Sequence, residues 1–189
     1  MNYQDKIISV EAALALFKNE DKIITGLGAA EGQEFLTYLH TIADSVKDVT
    51  IINTLPLRAY EFAEPAYRQS FKIDSWFYSG VSRKNASTAD STFIPNHLHL
   101  MATRWLDRQD PDIYVGLASM PDKHGFMSLS LSNTFEKACI AKAKTVILEI
   151  NPHAPRTFGD VEISVNDNLL ALNIVGTSNP RGVSTATPM

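Results

Sequence analysis

Four short runs constrain the fold of this chain more than any other feature: Lys22-Ile23-Ile24-Thr25, Val49-Thr50-Ile51-Ile52-Asn53, Ile113-Tyr114-Val115-Gly116-Leu117 and Thr145-Val146-Ile147-Leu148-Glu149-Ile150. They are rich in β-branched residues and lack the polar-apolar alternation of a half-solvated strand. Stretches with helical spacing lie between them. A strand buried on both faces belongs in a sheet with helices on each side, which is the parallel arrangement. The pattern therefore predicts an α/β fold with an open, mainly parallel sheet flanked by helices.

The intervening segments fill in that expectation. Ser9 is placed to cap a first helix, with Glu11 in its first turn and Ala12, Ala13, Leu16 and Phe17 along its apolar face. A second helix is expected from about Glu31, where Phe35, Leu36, Leu39, Ile42 and Ala43 recur at helical spacing. Lys72 to Tyr78 reads as a further strand, and Pro95 as the opening of a helix that runs to about Leu106. Thr134 to Lys144 reads as a helix, and Leu169 to Val175 as the last strand. From Gly176 the composition turns to Ser, Thr, Asn, Pro and Gly, so residues 1–176 are expected as one domain and 177–189 as a linker-like tail.

A length of 189 residues suits one sizeable domain. The formal net charge is −4 and the pI about 5.7, which argues against nucleic acid or an anionic membrane as the main partner. The apolar stretches are too short to span a bilayer, and the N-terminus lacks the basic-then-apolar order of a secretory signal. Cys139 is the single cysteine, so neither an intrachain disulfide nor a cysteine-based metal cluster is expected. These features lead to the expectation of a cytoplasmic protein.

Several motifs invite sharper readings. Gly26-Leu27-Gly28 follows a strand and precedes a helix, as a phosphate loop does. Glu31 stands where a dinucleotide fingerprint has its third glycine, and its charge would repel a pyrophosphate. A tight turn whose backbone lines a substrate fits better. His97 and His99, two residues apart on a helix, would point to different faces and so chelate one ion poorly. His124 and His153 sit beside turns, where surface or hydrogen-bonded roles compete with acid–base work. Met101, Trp105, Leu106 and Cys139 read as core, and Asp107, Asp110 and Asp112 as a solvated helix end and loop. No Gly-x-Ser-x-Gly elbow is present, which argues against a serine hydrolase.

Two longer segments are more specific. One is Asp112-Ile113-Tyr114-Val115 through Met120-Pro121-Asp122-Lys123-His124-Gly125-Phe126-Met127-Ser128-Leu129-Ser130. The other is Val146-Ile147-Leu148-Glu149-Ile150-Asn151-Pro152-His153-Ala154-Pro155-Arg156-Thr157-Phe158-Gly159-Asp160. Together with Ser9-Val10-Glu11-Ala12-Ala13, Gly26-Leu27-Gly28 and Phe77-Tyr78-Ser79-Gly80-Val81-Ser82-Arg83, they resemble the N-terminal domain of the acetyl-CoA hydrolase/transferase family, which includes 4-hydroxybutyrate and butyrate CoA-transferases. The resemblance covers nearly all of residues 6 to 170. Ala29-Ala30-Glu31-Gly32 departs from the glycine-rich or proline-bearing loop common in the family.

The resemblance implies a coenzyme A transferase or acyl-CoA hydrolase in which a following domain of similar fold supplies the catalytic glutamate. Nothing after Gly176 resembles that domain, so this chain is expected to hold no catalytic residue and to be inactive alone. Its share of the cleft would be Gly26, Gly28, Met120, His124, Gly125, Asn151, Pro155, Arg156 and Thr157, with the backbone N–H groups of Thr54 and Leu55 as candidate oxyanion donors. Pro56 has no N–H to give. Arg156 is open to two roles, a bidentate anion clamp or a domain-interface ion pair. Glu149 is expected to pair within the sheet or at an interface rather than act as nucleophile.

No metal and no permanently bound cofactor are implied; coenzyme A or acyl-CoA enters as substrate with a small carboxylic acid. The complete protein is expected to be a homo-oligomer, and an apolar patch is expected where the other domain docks. Two other readings stay open: a complete subunit of a two-chain transferase, and a free-standing module that binds acyl-CoA or a small acid.

Overall fold

A computed structural model describes residues 6–85, 91–166 and 169–172. In chain order its elements are α1 (Val10–Leu14), β1 (Lys22–Thr25), α2 (Gln33–Thr37), β2 (Val49–Thr54), β3 (Phe71–Phe77), α3 (Ser82–Asn85), β4 (Ser91–Phe93), α4 (Met101–Leu106), β5 (Ile113–Ala118), β6 (Phe126–Ser128), α5 (Glu136–Lys142), β7 (Thr145–Ile150), β8 (Glu162–Ser164) and β9 (Leu169–Leu172). Seven strands form one sheet in the order β4-β3-β2-β1-β5-β7-β9, while β6 and β8 make a separate antiparallel pair. Every pairing in the large sheet is parallel. The chain builds outward from β1 to β4, then crosses back to β5 on the other side of β1. That reversal puts the topological switch point between β1 and β5, where open α/β sheets leave a crevice at their carboxyl edge.

The sheet separates two cores, and alternate residues of each strand feed them. Ile23, Ile51, Ile73, Ile113, Val115 and Ile147 face one side, where they pack with Ala13, Leu14 and Phe17 of the α1 segment and Phe35, Leu36 and Leu39 of the α2 segment. Ile24, Ile52, Trp76, Tyr114, Val146 and Leu148 face the other, against Met101, Trp105, Leu106 and Cys139 of α4 and α5. Burial on both faces accounts for the unbroken apolar runs.

Several expectations change in detail. Ser9 caps α1, its hydroxyl accepting the Ala12 N–H at 3.1 Å. The helix is only five residues long, however, and Ala12 and Leu16 are exposed while Ala13, Leu14 and Phe17 are buried. The second helix is not continuous from Glu31: Gly28–Ala30 and Leu39–Ser45 are 3₁₀ turns on either side of α2. The reason is local, since Gly28 turns the chain at φ +55° and α2 starts only after Gly32. Pro95 does not open α4. The Ile94 N–H still bonds the Ser75 carbonyl in extension of β4, and a 3₁₀ turn over Leu98–Leu100 precedes the helix. His97 and His99 are exposed as expected, but their rings stack at 5.7 Å instead of diverging, with His97 just before that tighter turn and His99 within it. Residues 173–175 of the expected last strand and the tail 177–189 lie outside the described residues.

Candidate functional site

The site is built where β1, β2, β5 and β7 end. Beyond β1 the Gly26 N–H bonds the Val115 carbonyl at 3.0 Å, tying the turn to the neighbouring strand. A side chain at Gly26 would run into the Ala30 carbonyl, so glycine is required there by close approach. Gly28 abuts the residue after β2, with Leu55 O and Cδ2 each 3.8 Å from where a Gly28 Cβ would stand. Leu55 itself has φ +61°, a left-handed conformation that a leucine adopts only when its surroundings impose it. Its N–H makes no hydrogen bond among the described residues. Strain and an unused donor therefore coincide at the carboxyl edge. Thr54, the last residue of β2, is buried, and its hydroxyl has no partner there either.

Three acidic residues surround the start of α2, and sequence reasoning assigned a site role to none of them. Glu149 on β7 is buried, and its Oε2 accepts the Glu34 and Phe35 N–H groups at 3.0 and 3.4 Å. It is the N-terminal cap of α2 supplied from another strand. Burial pushes its carboxyl up to about 7, against the pull of those two amides. Glu31 is more deeply enclosed, only 1% exposed. Its Oε2 accepts the Tyr60 hydroxyl at 3.1 Å and its Oε1 has no close partner. Burial raises Glu31 to about 8, with Tyr60, the Leu57 amide, the Thr25 hydroxyl and Arg58 all favouring the charged form. Glu34 pairs with Arg58 at 3.1 Å, and that guanidinium also reaches the Thr37 hydroxyl. Glu31, Gln33, Leu117, Glu149 and Asn151 line a narrow crevice of about 10 Å³, room for roughly one water.

The other two loops are latched to each other. In the first, Asp122 Oδ1 accepts the His124 and Phe126 N–H groups at 2.8 and 2.9 Å, and Gly125 takes φ +81° to close the turn. In the second, the buried Asn151 accepts the His153 N–H at 2.8 Å. Arg156 bonds the Phe126 carbonyl and Asp122 of the first loop and pairs with Glu162 of β8. Ser128 is the buried hub: its Oγ accepts the Ser130 and Thr157 N–H groups at 3.0 and 3.1 Å and meets the Thr157 hydroxyl at 3.0 Å. Ser130 donates to the Pro155 carbonyl at 2.7 Å. The motif positions Ser130, Asp122 and Ser128 thus hold Pro155, Arg156 and Thr157 in place, while Met120 and His124 remain exposed.

Of the residues expected to line the cleft, Gly26 and Gly28 lie beside Leu55 on one part of the edge, and Met120, His124, Gly125, Asn151, Pro155, Arg156 and Thr157 form the other part. Arg156 is occupied by carboxylates of its own chain. Leu57, Phe77, Phe93 and Met120, each at or just past a strand's carboxyl end, are exposed large apolar side chains. A wider hollow, of about 800 Å³ between residues 40–44 and 65–70, lies instead at the amino edge of the sheet, where the chain enters β2 and β3. Among the described residues no group of three or more His, Cys, Asp or Glu is placed to hold a metal ion, and no helix is long and apolar enough to cross a membrane.

Comparison with known proteins bears on the family and the fold. A succinyl-CoA:cyclohexane-1-carboxylate CoA transferase of Geobacter metallireducens is 29% identical over 165 residues, covering 87% of this chain and 38% of that protein. A 4-hydroxybutyrate coenzyme A transferase of Clostridium kluyveri is 24% identical over 166 residues, covering 87% and 39%. The chain thus spans about two-fifths of the length of these relatives. Among solved structures, RipA from Yersinia pestis superposes with a TM-score of 0.79 at 19% identity, covering 89% of this chain and 42% of that one. A 4-hydroxybutyrate CoA-transferase from Porphyromonas gingivalis gives 0.63 at 18%, covering 90% and 40%, and these two likenesses speak for the fold. The model of the acetyl-CoA hydrolase/transferase N-terminal domain matches residues 1–180, and the chain belongs to that family.

Proposed function

We propose that this chain forms one wall of the cleft of a coenzyme A transferase or acyl-CoA hydrolase, and that a second domain or subunit brings the catalytic glutamate. The observation that carries this reading is the unused Leu55 N–H, held at φ +61° against Gly28 at the switch-point edge of the sheet. When a carboxylate attacks the carbonyl carbon of a thioester, negative charge develops on the carbonyl oxygen. A fixed backbone donor aimed at that oxygen stabilises it without reorganisation. That attack expels the coenzyme A thiolate and leaves a mixed anhydride. The thiolate then attacks the glutamyl carbonyl of the anhydride, releasing the donor acid and leaving coenzyme A on the glutamate as a thioester. An acceptor acid takes up the coenzyme A by the reverse of these steps, whereas in a hydrolase water cleaves the glutamyl thioester to free coenzyme A and the carboxylate. Exclusion of bulk water from the cleft decides between the two outcomes.

The buried carboxyls of this chain are poor candidates for the nucleophile. Glu149 uses Oε2 to cap α2, and Glu31 is 1% exposed with Oε2 bound by the Tyr60 hydroxyl. The exposed apolar side chains at the strand ends, Leu57, Phe77, Phe93 and Met120, suit a surface that another domain covers.

The test is to titrate the isotope-labelled chain with coenzyme A and follow backbone amide resonances. Shifts concentrated at Gly28, Leu55 and Asn151 are expected. Saturable binding that leaves those amides unmoved and shifts others would place the ligand elsewhere and refute the assignment.

A further inference from the structure

A second site lies on the other face of the sheet. Between β3, the chain leaving β4, and α4 is a groove of about 340 Å³, within the size range of small-molecule pockets. The chain contains two tryptophans, Trp76 on β3 and Trp105 on α4, and both line it, together with Ile94. Trp76 packs edge-on against Phe135 at 5.3 Å, which fixes the ring, and its buried indole N–H has no acceptor among the described residues. The floor of the groove is therefore rigid, apolar and aromatic.

Its rim is cationic. Arg104 and Arg108 also line the groove, four residues apart on a turn that continues past α4 through the bond from the Gln109 N–H to the Trp105 carbonyl. Both are exposed, and neither side chain makes an ion pair or hydrogen bond among the described residues. Arg58 and Arg156, by contrast, are bound to carboxylates of the chain. The one acid in the groove, Asp74, accepts the Thr92 hydroxyl. Two unpaired guanidiniums above an indole floor call for a ligand with an acidic group and a flat apolar body. A bare phosphate would gain nothing from the floor, and an uncharged ring nothing from the rim.

We propose that this groove binds a small aromatic carboxylate. Arg104 and Arg108 take the carboxylate, and the ring lies along Trp105 and Ile94, with the enclosed Trp76 backing the groove. The site is separate from the Gly28–Leu55 edge and does not depend on the function proposed above.

Because both tryptophans line the groove, intrinsic fluorescence of the whole chain reads it directly. Titration with benzoate is expected to give a saturable change with a Kd of about 1 mM or tighter. Benzylamine, the same ring with a positive group, is expected to give none. The paired surface substitutions Arg104→Gln and Arg108→Gln are expected to weaken benzoate binding about tenfold or more. A linear response to benzoate, an equal response to benzylamine, or unchanged binding in the double variant would each overturn the proposal.

Discussion

Glu31 sits in an environment that its residue type disfavours. A carboxyl 1% exposed, with one close hydrogen-bond donor, is costly to ionise, so burial raises it to about 8. Glu149, raised to about 7, has a shift of the same sign. A carboxyl whose folded pKa is raised binds a proton more readily in the folded state than in the unfolded one. Its contribution to stability is full below the unfolded value near 4.5 and is lost as pH rises towards the folded value. Urea unfolding is therefore expected to show falling stability between about pH 5 and pH 8, where the two groups titrate. Glu31→Gln keeps an acceptor for Tyr60 and removes the titration. It is expected to raise stability at pH 8 by about 3 kcal/mol and to change it little at pH 5. Equal effects at both pH values would contradict the assigned cause.

At the scale of elements, the central strands are legible in the sequence because burial on both faces leaves an uninterrupted apolar run. Lys22–Thr25 and Thr145–Ile150 have the boundaries that composition alone suggests. The three-residue strands β4, β6 and β8 are not legible. Phe93 and Phe126 are exposed within them, and their pairing depends on partners distant in sequence. The break in the second helix comes from the local Gly28 turn, but the point where α2 begins is hidden for the same kind of reason: its first amides are capped by Glu149, 115 residues from Glu34. Of the site, the glycine turn and the two loop motifs could be read from residue pattern. The buried acids could not, since nothing local marks a glutamate as enclosed. The latch between the two loops makes its own prediction. Ser128→Ala leaves the Ser130 and Thr157 amides without their acceptor in a buried place, and is expected to cost about 2–3 kcal/mol. Faster hydrogen exchange at Thr157, with the β1 and β2 amides still protected, would show that the loss is local to the latch.

For the whole molecule, the architecture assigns different tasks to the two edges of one sheet. The faces are largely filled by the strands packing against the flanking segments, apart from the tryptophan-lined groove, and the amino edge holds an open hollow. The carboxyl edge, by contrast, gathers the strained Leu55, the enclosed acids, the latched loops and several exposed apolar residues. Such an edge is consistent with half of a cleft, since it offers a backbone donor and a shaped surface while its enclosed acids Glu31 and Glu149 are engaged with Tyr60 and with the amides of α2. The most direct test is acetyl-CoA turnover by this chain alone, scoring both hydrolysis and transfer of coenzyme A to an added small carboxylic acid. The account predicts neither, with binding intact. Turnover by the chain alone would contradict it, and loss of that turnover in Glu149→Gln would place the nucleophile on β7.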